Sequence, residues 1–111
     1  MSERIKKIND HLRDETAKIL LAELRGDDGA IVTVTRAEVS PTLEHATIYI
    51  SVLPVQRATG VLRKTKQQIF FLQQALNHRL VMRPVPKIKF AIDHGPEQAA
   101  RIAQLLEKAG K

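Results

Sequence analysis

The sequence predicts an α+β fold in which three strands and their flanking helices share one core. Three observations predict it. Apolar residues recur every three to four positions in the helical segments, three short segments alternate apolar with polar residues, and glycines and prolines punctuate the junctions. At 111 residues the chain is long enough for one ordinary domain with its own core and too short for two.

The first element is a helix from about Glu3 to Leu24. Ile5, Ile8, Leu12, Ile19, Leu20 and Leu24 form its stripe, with Thr16 filling the gap and charges on the opposite side. Gly26 to Gly29 ends it. Ile31–Val39 is rich in Val and Thr and alternates, which reads as a strand, although the pattern leaves open which side is buried. Ser40, Pro41 and Thr42 supply a turn into His45–Leu53. That strand places Ala46, Ile48, Ile50 and Val52 on one side and His45, Thr47, Tyr49 and Ser51 on the other.

A second helix is expected from about Thr59 to Val81, with Leu62, Thr65, Ile69, Leu72, Leu76 and Leu80 as one stripe. Its other side carries Arg63, Lys66, Gln67, Phe70, Gln74, Asn77 and His78, so Phe70 is out of place for a simple core residue. Pro84 and Pro86 stop this helix, and Lys87 to Asp93 alternates as a third strand with Ile88, Phe90 and Ile92 on one side. Pro96 suits the first turn of a last helix. Its buried stripe is expected to be Ala99, Ile102, Leu105, Leu106 and Ala109, with Gly110 at its end. The order is therefore helix, strand, strand, helix, strand, helix, with no internal repeat or linker.

Composition narrows the function classes. No apolar run approaches the roughly 20 residues of a membrane span. The first residues, Ser2, Glu3 and Arg4 onward, lack the apolar segment of a secretory signal. With no cysteine, disulfides and thiolate chemistry are excluded, and a cytoplasmic location is expected. The net charge of +6 is unevenly distributed. From His45 through Ile92 there is no Asp or Glu, yet that stretch holds Arg57, Arg63, Lys64, Lys66, Arg79, Arg83, Lys87 and Lys89. The positive excess belongs to the middle of the chain, which is the pattern a polyanion partner calls for.

Catalytic and metal-binding signals are missing. His11, His45, His78 and His94 are far apart and lack a paired-ligand spacing, and Asp14–Glu15 and Asp27–Asp28 have no nucleophile or base beside them. No phosphate-cradling loop, nucleophile elbow or dinucleotide fingerprint occurs. Gly26-Asp27-Asp28-Gly29 matches the GxxG of KH-type RNA-binding modules in letters only. Its two aspartates would repel a phosphate backbone, and it joins a helix to a strand rather than two helices.

Two stretches resemble a known family. Thr33 to Leu53, reading V-T-R-A-E-V-S-P-T-L-E-H-A-T-I-Y-I-S-V-L from Val34 on, looks like the hairpin of the ribosome-binding factor A family. Leu80 to Phe90, with Arg83, Pro86 and Phe90, is similar to that family's R-x-x-P-x-l-x-F segment, and Asp93, Gly95 and Glu97 fit its ending. The resemblance covers essentially the whole chain. It implies a single type II KH-like domain over residues 1–111, with a mixed three-stranded sheet covered on one face by helices. It also implies a non-catalytic role in late maturation of the small ribosomal subunit and its rRNA, of special importance in the cold. On that reading the chain needs no cofactor, metal, membrane or small-molecule substrate and acts as a monomer. The family's Ala-x-Gly kink would fall on Gln68-Ile69-Phe70, where neither Ala nor Gly stands, and its usual arginine three residues later is Gln73. That departure predicts a longer uninterrupted second helix.

Within this picture Arg63, Lys64, Lys66, Arg79, Arg83, Lys87 and Lys89 are the expected phosphate contacts, because structured RNA is read largely through shape and backbone. Phe70 is expected to be partly exposed and available for stacking or docking. The competing reading is a basic adaptor whose Phe70, Phe71 and second helix dock a partner protein.

Overall fold

The computed structural model describes residues 2–23 and 29–109. Leu24, the turn residues Gly26, Asp27 and Asp28, and the expected helix end at Gly110 lie outside them. The elements are α1 (Glu3–Glu23), β1 (Ile31–Val39), β2 (His45–Leu53), a single 3-10 turn at Val55–Arg57, α2 (Ala58–Gln67), α3 (Ile69–Arg79), β3 (Lys87–Ile92) and α4 (Gly95–Ala109).

The strands form one mixed sheet in the order β1-β2-β3. β1 and β2 pair antiparallel, and β2 and β3 pair parallel. Ser40 makes the hairpin turn. Its N–H donates to the His45 carbonyl, and its Oγ accepts from the N–H groups of Glu44 and His45, so a small polar side chain supplies what the backbone there cannot. The β1–β2 register slips between Val34 and Arg36, leaving Thr35 as the extra residue of a bulge.

The alternation of β2 sorts its residues as expected, with Ala46, Ile48, Ile50 and Val52 buried. Against them lie Ile88 and Phe90 of β3, Leu12, Ile19 and Leu20 of α1, and Leu72, Leu76 and Leu80 from α3 and its end. Leu12, Ile48, Ile50, Leu72 and Leu76 are fully buried, so truncating any of them to Ala would cost about 2–5 kcal/mol. The opposite side of the sheet, with His45, Thr47, Tyr49 and Ser51, carries none of this core.

Two expectations need correction. The second helix is not continuous. It breaks at Gln68 (φ −104°, ψ 15°), whose N–H is shared between the carbonyls of Lys64 and Lys66. Neither Gly nor Pro causes the break. Thr65, the buried residue of α2, turns its hydroxyl back to the Leu62 carbonyl at 2.6 Å, and such back-bonding bends helices. The break falls where the family's kink was expected, without the residues that usually make it.

The second correction concerns α4. Its apolar stripe does not join the core, for Ala99 is exposed and Ile102, Leu105 and Leu106 are 57%, 60% and 68% exposed. The helices covering the sheet are therefore α1, α2 and α3. Asp93 anchors the start of α4, its Oδ1 accepting the Gly95 N–H at 2.9 Å and its Oδ2 the Thr35 hydroxyl at 2.6 Å. These two bonds, with the Arg36 guanidinium nearby, hold the Asp93 carboxyl below its usual range.

Candidate nucleic-acid interface

The acid-free stretch folds into neighbouring parts of the molecule: β2, α2, α3 and β3. Where α2 meets β3, a cleft of ≈ 320 Å³ is lined by Thr65, Lys66, Ile69, Lys89 and Phe90. Its floor is apolar and two lysines belong to its wall. The helix break brings this about, since Thr65 and Lys66 end α2 while Ile69 begins α3 on the far side of Gln68.

β3 is an edge strand, and α3 secures its first residues. Lys87 donates its N–H to Glu44, just before β2, and Asp93 donates to Ile50 within it, so parity turns the N–H groups of Ile88 and Phe90 outward. Gln73 meets that edge. Its Oε1 accepts the Ile88 N–H at 2.9 Å, and its Nε2 donates to the Pro86 carbonyl at 3.0 Å and to Asn77 Oδ1 at 3.1 Å. One primary amide thus does for the edge what a neighbouring strand would do. Lys87 and Lys89 owe their placement to this clamp.

The seven basic residues expected to touch phosphate separate into three sets. Arg63 and Lys66 are exposed on α2, and Lys87 and Lys89 are exposed on β3. Lys64 is half-buried and has an electrostatic or hydrogen-bonding partner of its own. Arg79 and Arg83 are engaged in holding the fold. Arg79 Nε meets Glu15 Oε1 of α1 at 3.1 Å, tying α1 to α3. Arg83 caps the end of α3, its Nη1 donating to the carbonyls of Leu80 (2.6 Å) and Met82 (2.7 Å) and its Nη2 to Asn77 (3.3 Å). A cation there satisfies carbonyls that the helix leaves unpaired. Glu15 is also bonded to Lys18, and Lys18 and Arg79 together hold its carboxyl below the usual range.

Phe70 is 76% exposed in the first turn of α3, and Phe71 beside it is 53% exposed. The partial exposure expected for Phe70 is observed, but by a different route. An unbroken helix would leave it on the polar side opposite the Leu62–Leu80 stripe. The helix breaks, yet the break precedes Phe70 and Leu72 takes the core position instead.

Charge pattern alone did not mark Arg36. It lies over the Tyr49 ring with its guanidinium carbon 3.8 Å from the ring centroid. The Thr35 bulge makes Arg36 the partner of Tyr49, and no periodicity in the sequence signals a bulge. Among the described residues no group of three or more His, Asp or Glu side chains could hold a metal ion, and no helix is long and apolar enough to cross a membrane.

The whole chain has known relatives. A family model described as ribosome-binding factor A matches residues 4–106. The ribosome-binding factor A of Coxiella burnetii is 31% identical over 111 residues, covering 100% of this chain and 93% of the relative. The crystal structure of ribosome-binding factor A from Thermus thermophilus superposes with a TM-score of 0.70 at 20% identity, covering 79% of this chain and 94% of that one. A homology model of the Thermus thermophilus factor, fitted into a cryo-EM map of its complex with the 30S particle, gives a TM-score of 0.64 at 21% identity and covers 77% of this chain and 90% of that one. At such identities these structural likenesses speak for the fold.

Proposed function

The chain belongs to the ribosome-binding factor A family, and from that premise we propose that it is a non-catalytic assembly factor. It binds immature small ribosomal subunits and their rRNA in the cytoplasm and assists late rRNA maturation. Residues 1–111 form one KH-like domain acting as a monomer. Arg63, Lys66, Lys87 and Lys89 carry the phosphate contacts, with Lys64 behind them, while Arg79 and Arg83 serve the fold.

The observation that carries this reading is a cleft at which two cations of the acid-free stretch meet. Lys66 comes from a helix and Lys89 from a strand, yet both line it. A backbone-tracking surface needs separated cations on a shared path rather than paired ones, and exposed ammonium groups there release counterions from the polyanion they meet. The relative in complex with the 30S particle supports the choice of partner.

Salt tests the reading. Binding to small-subunit rRNA should weaken linearly in log–log form, with a slope near one unit per phosphate contact, so about three to four for the four exposed cations. One observation favours a second reading, a basic adaptor that docks a protein: the exposed pair Phe70 and Phe71. An affinity indifferent to salt would support that reading and sink the first.

A further inference from the structure

The sheet face that no core helix covers has its own composition. Alternation sends Arg36 of β1, Thr47 and Tyr49 of β2, and Lys87 and Lys89 of β3 to that side. At its centre sits the Arg36–Tyr49 stack, at 3.8 Å.

Two of the three guanidinium nitrogens already face carboxylates. Glu38 bonds Nη1 on one side. On the other side Asp93 Oδ2 lies 3.7 Å from Nε and is itself fixed by the Thr35 hydroxyl at 2.6 Å. Two carboxylates in its surroundings make Arg36 a poor phosphate ligand, since a phosphate would have to displace or approach them. One face of the plane rests on Tyr49, and with the side chain 48% exposed the other face is the side from which a planar group can approach.

A planar, polarisable ring is the chemistry that stacks on a guanidinium plane, and unpaired bases do so. The neighbourhood leaves room for one. Ala91, the register partner of Tyr49, has only a methyl group, so no bulky β3 side chain rises beside the stack. One row along β3 comes Lys89 opposite Thr47, and the next row has Lys87 opposite His45, rows about 6.6 Å apart. A strand of RNA running beside β3 would therefore meet two ammonium groups in succession after leaving the stack.

We propose that the Arg36–Tyr49 stack is a binding site for one unpaired base of single-stranded RNA, with Lys89 and Lys87 taking the phosphates next to it. The site rests on the RNA-binding reading above and adds to it a base contact on the uncovered face of the sheet. Lys89, at the sheet edge, serves both this face and the cleft.

The test uses the full chain with two probes, a short oligoadenylate and an RNA duplex of the same length. Tyr49 is the sole tyrosine, so its ring signals in NMR spectra need no disentangling. Oligoadenylate should shift the Tyr49 ring and Arg36 Nε–H signals through the ring current of the stacked base, and the duplex should not. Arg36→Lys keeps the charge but loses the plane. It should weaken oligoadenylate binding about tenfold, within the range one base stack contributes, and leave duplex binding unchanged. Tyr49→Phe keeps the ring and should bind like the parent. Signals from Arg36 and Tyr49 that stay put at saturating oligoadenylate, or Arg36→Lys that binds it normally, would overturn the site. If small-subunit rRNA still binds with a steep salt slope in that case, only this inference falls. Loss of all RNA binding by the parent protein would remove the functional reading as well. Should Arg36→Lys fail to fold, the signals of the parent protein decide by themselves.

Discussion

Replacing Gln73 with Leu removes one primary amide and little else, because the two side chains are similar in size and helix propensity. Its consequence is calculable from the contacts. The Ile88 N–H loses its acceptor at 2.9 Å and the Pro86 carbonyl loses its donor at 3.0 Å, while Ile88 and Pro86 are both buried. A buried backbone group left unpaired costs about 1–3 kcal/mol. Water can reach part of this edge, since Gln73 is only half-buried, so the expected loss is about 2–3 kcal/mol for the two groups together. Urea denaturation would show it as a lowered midpoint with an unchanged slope. Hydrogen exchange at the Ile88 amide should accelerate more than at the Ile48 and Ile50 amides of the central strand. RNA affinity should fall with it, because Lys87 and Lys89 stand on the strand that Gln73 holds. A loss under about 0.5 kcal/mol, the range of an ordinary surface change, with Ile88 equally protected, would refute the clamp.

Three further outcomes are expected. Changing Arg63, Lys66 and Lys89 together to Gln should flatten the salt slope of rRNA binding by about one unit per lost contact with the fold intact, whereas Arg79→Gln should lower stability and leave the slope alone. Phe70→Ala should leave stability within about 0.5 kcal/mol, because the ring is largely exposed, while subunit binding weakens; unchanged binding would remove Phe70 from the interface. Glu15 has its folded-state pKa lowered from 4.5 by Lys18 and Arg79, so its contribution is complete above that value and is lost as pH falls through the lower one. Glu15→Gln should therefore be less stable than the parent at neutral pH. The gap should close on acidification below 4.5, as urea midpoints across pH would show.

What could be read from the residues and what could not differ by physical cause. β2 was legible to its boundaries because a half-buried strand must alternate, and Ala46, Ile48, Ile50 and Val52 are buried as the alternation requires. The break at Gln68 was not, because it follows from the side-chain bond of Thr65 to Leu62, and the stripe from Thr65 to Leu80 stays in phase across it. Periodicity in α4 reports an amphipathic helix and says nothing about what covers it, which is why Ile102 and Leu106 were expected inside and lie outside. Charge counting marked the stretch from His45 through Ile92 as acid-free. It could not find the partners of individual cations: Arg79 meets a carboxylate 64 residues away, and Arg83 folds back onto the end of α3 before it. Arg36 escaped notice because only the bulge sets it on Tyr49.

A chain of this family proposed to act on the small ribosomal subunit should travel with that particle. Sedimentation of the tagged full chain through a gradient of cell extract tests it most directly, with each ribosomal fraction probed for the protein. The protein should be recovered with free small subunits in preference to large subunits and translating ribosomes, and should be released from them as salt rises. Equal recovery on large subunits, or none on any ribosomal particle, would contradict it.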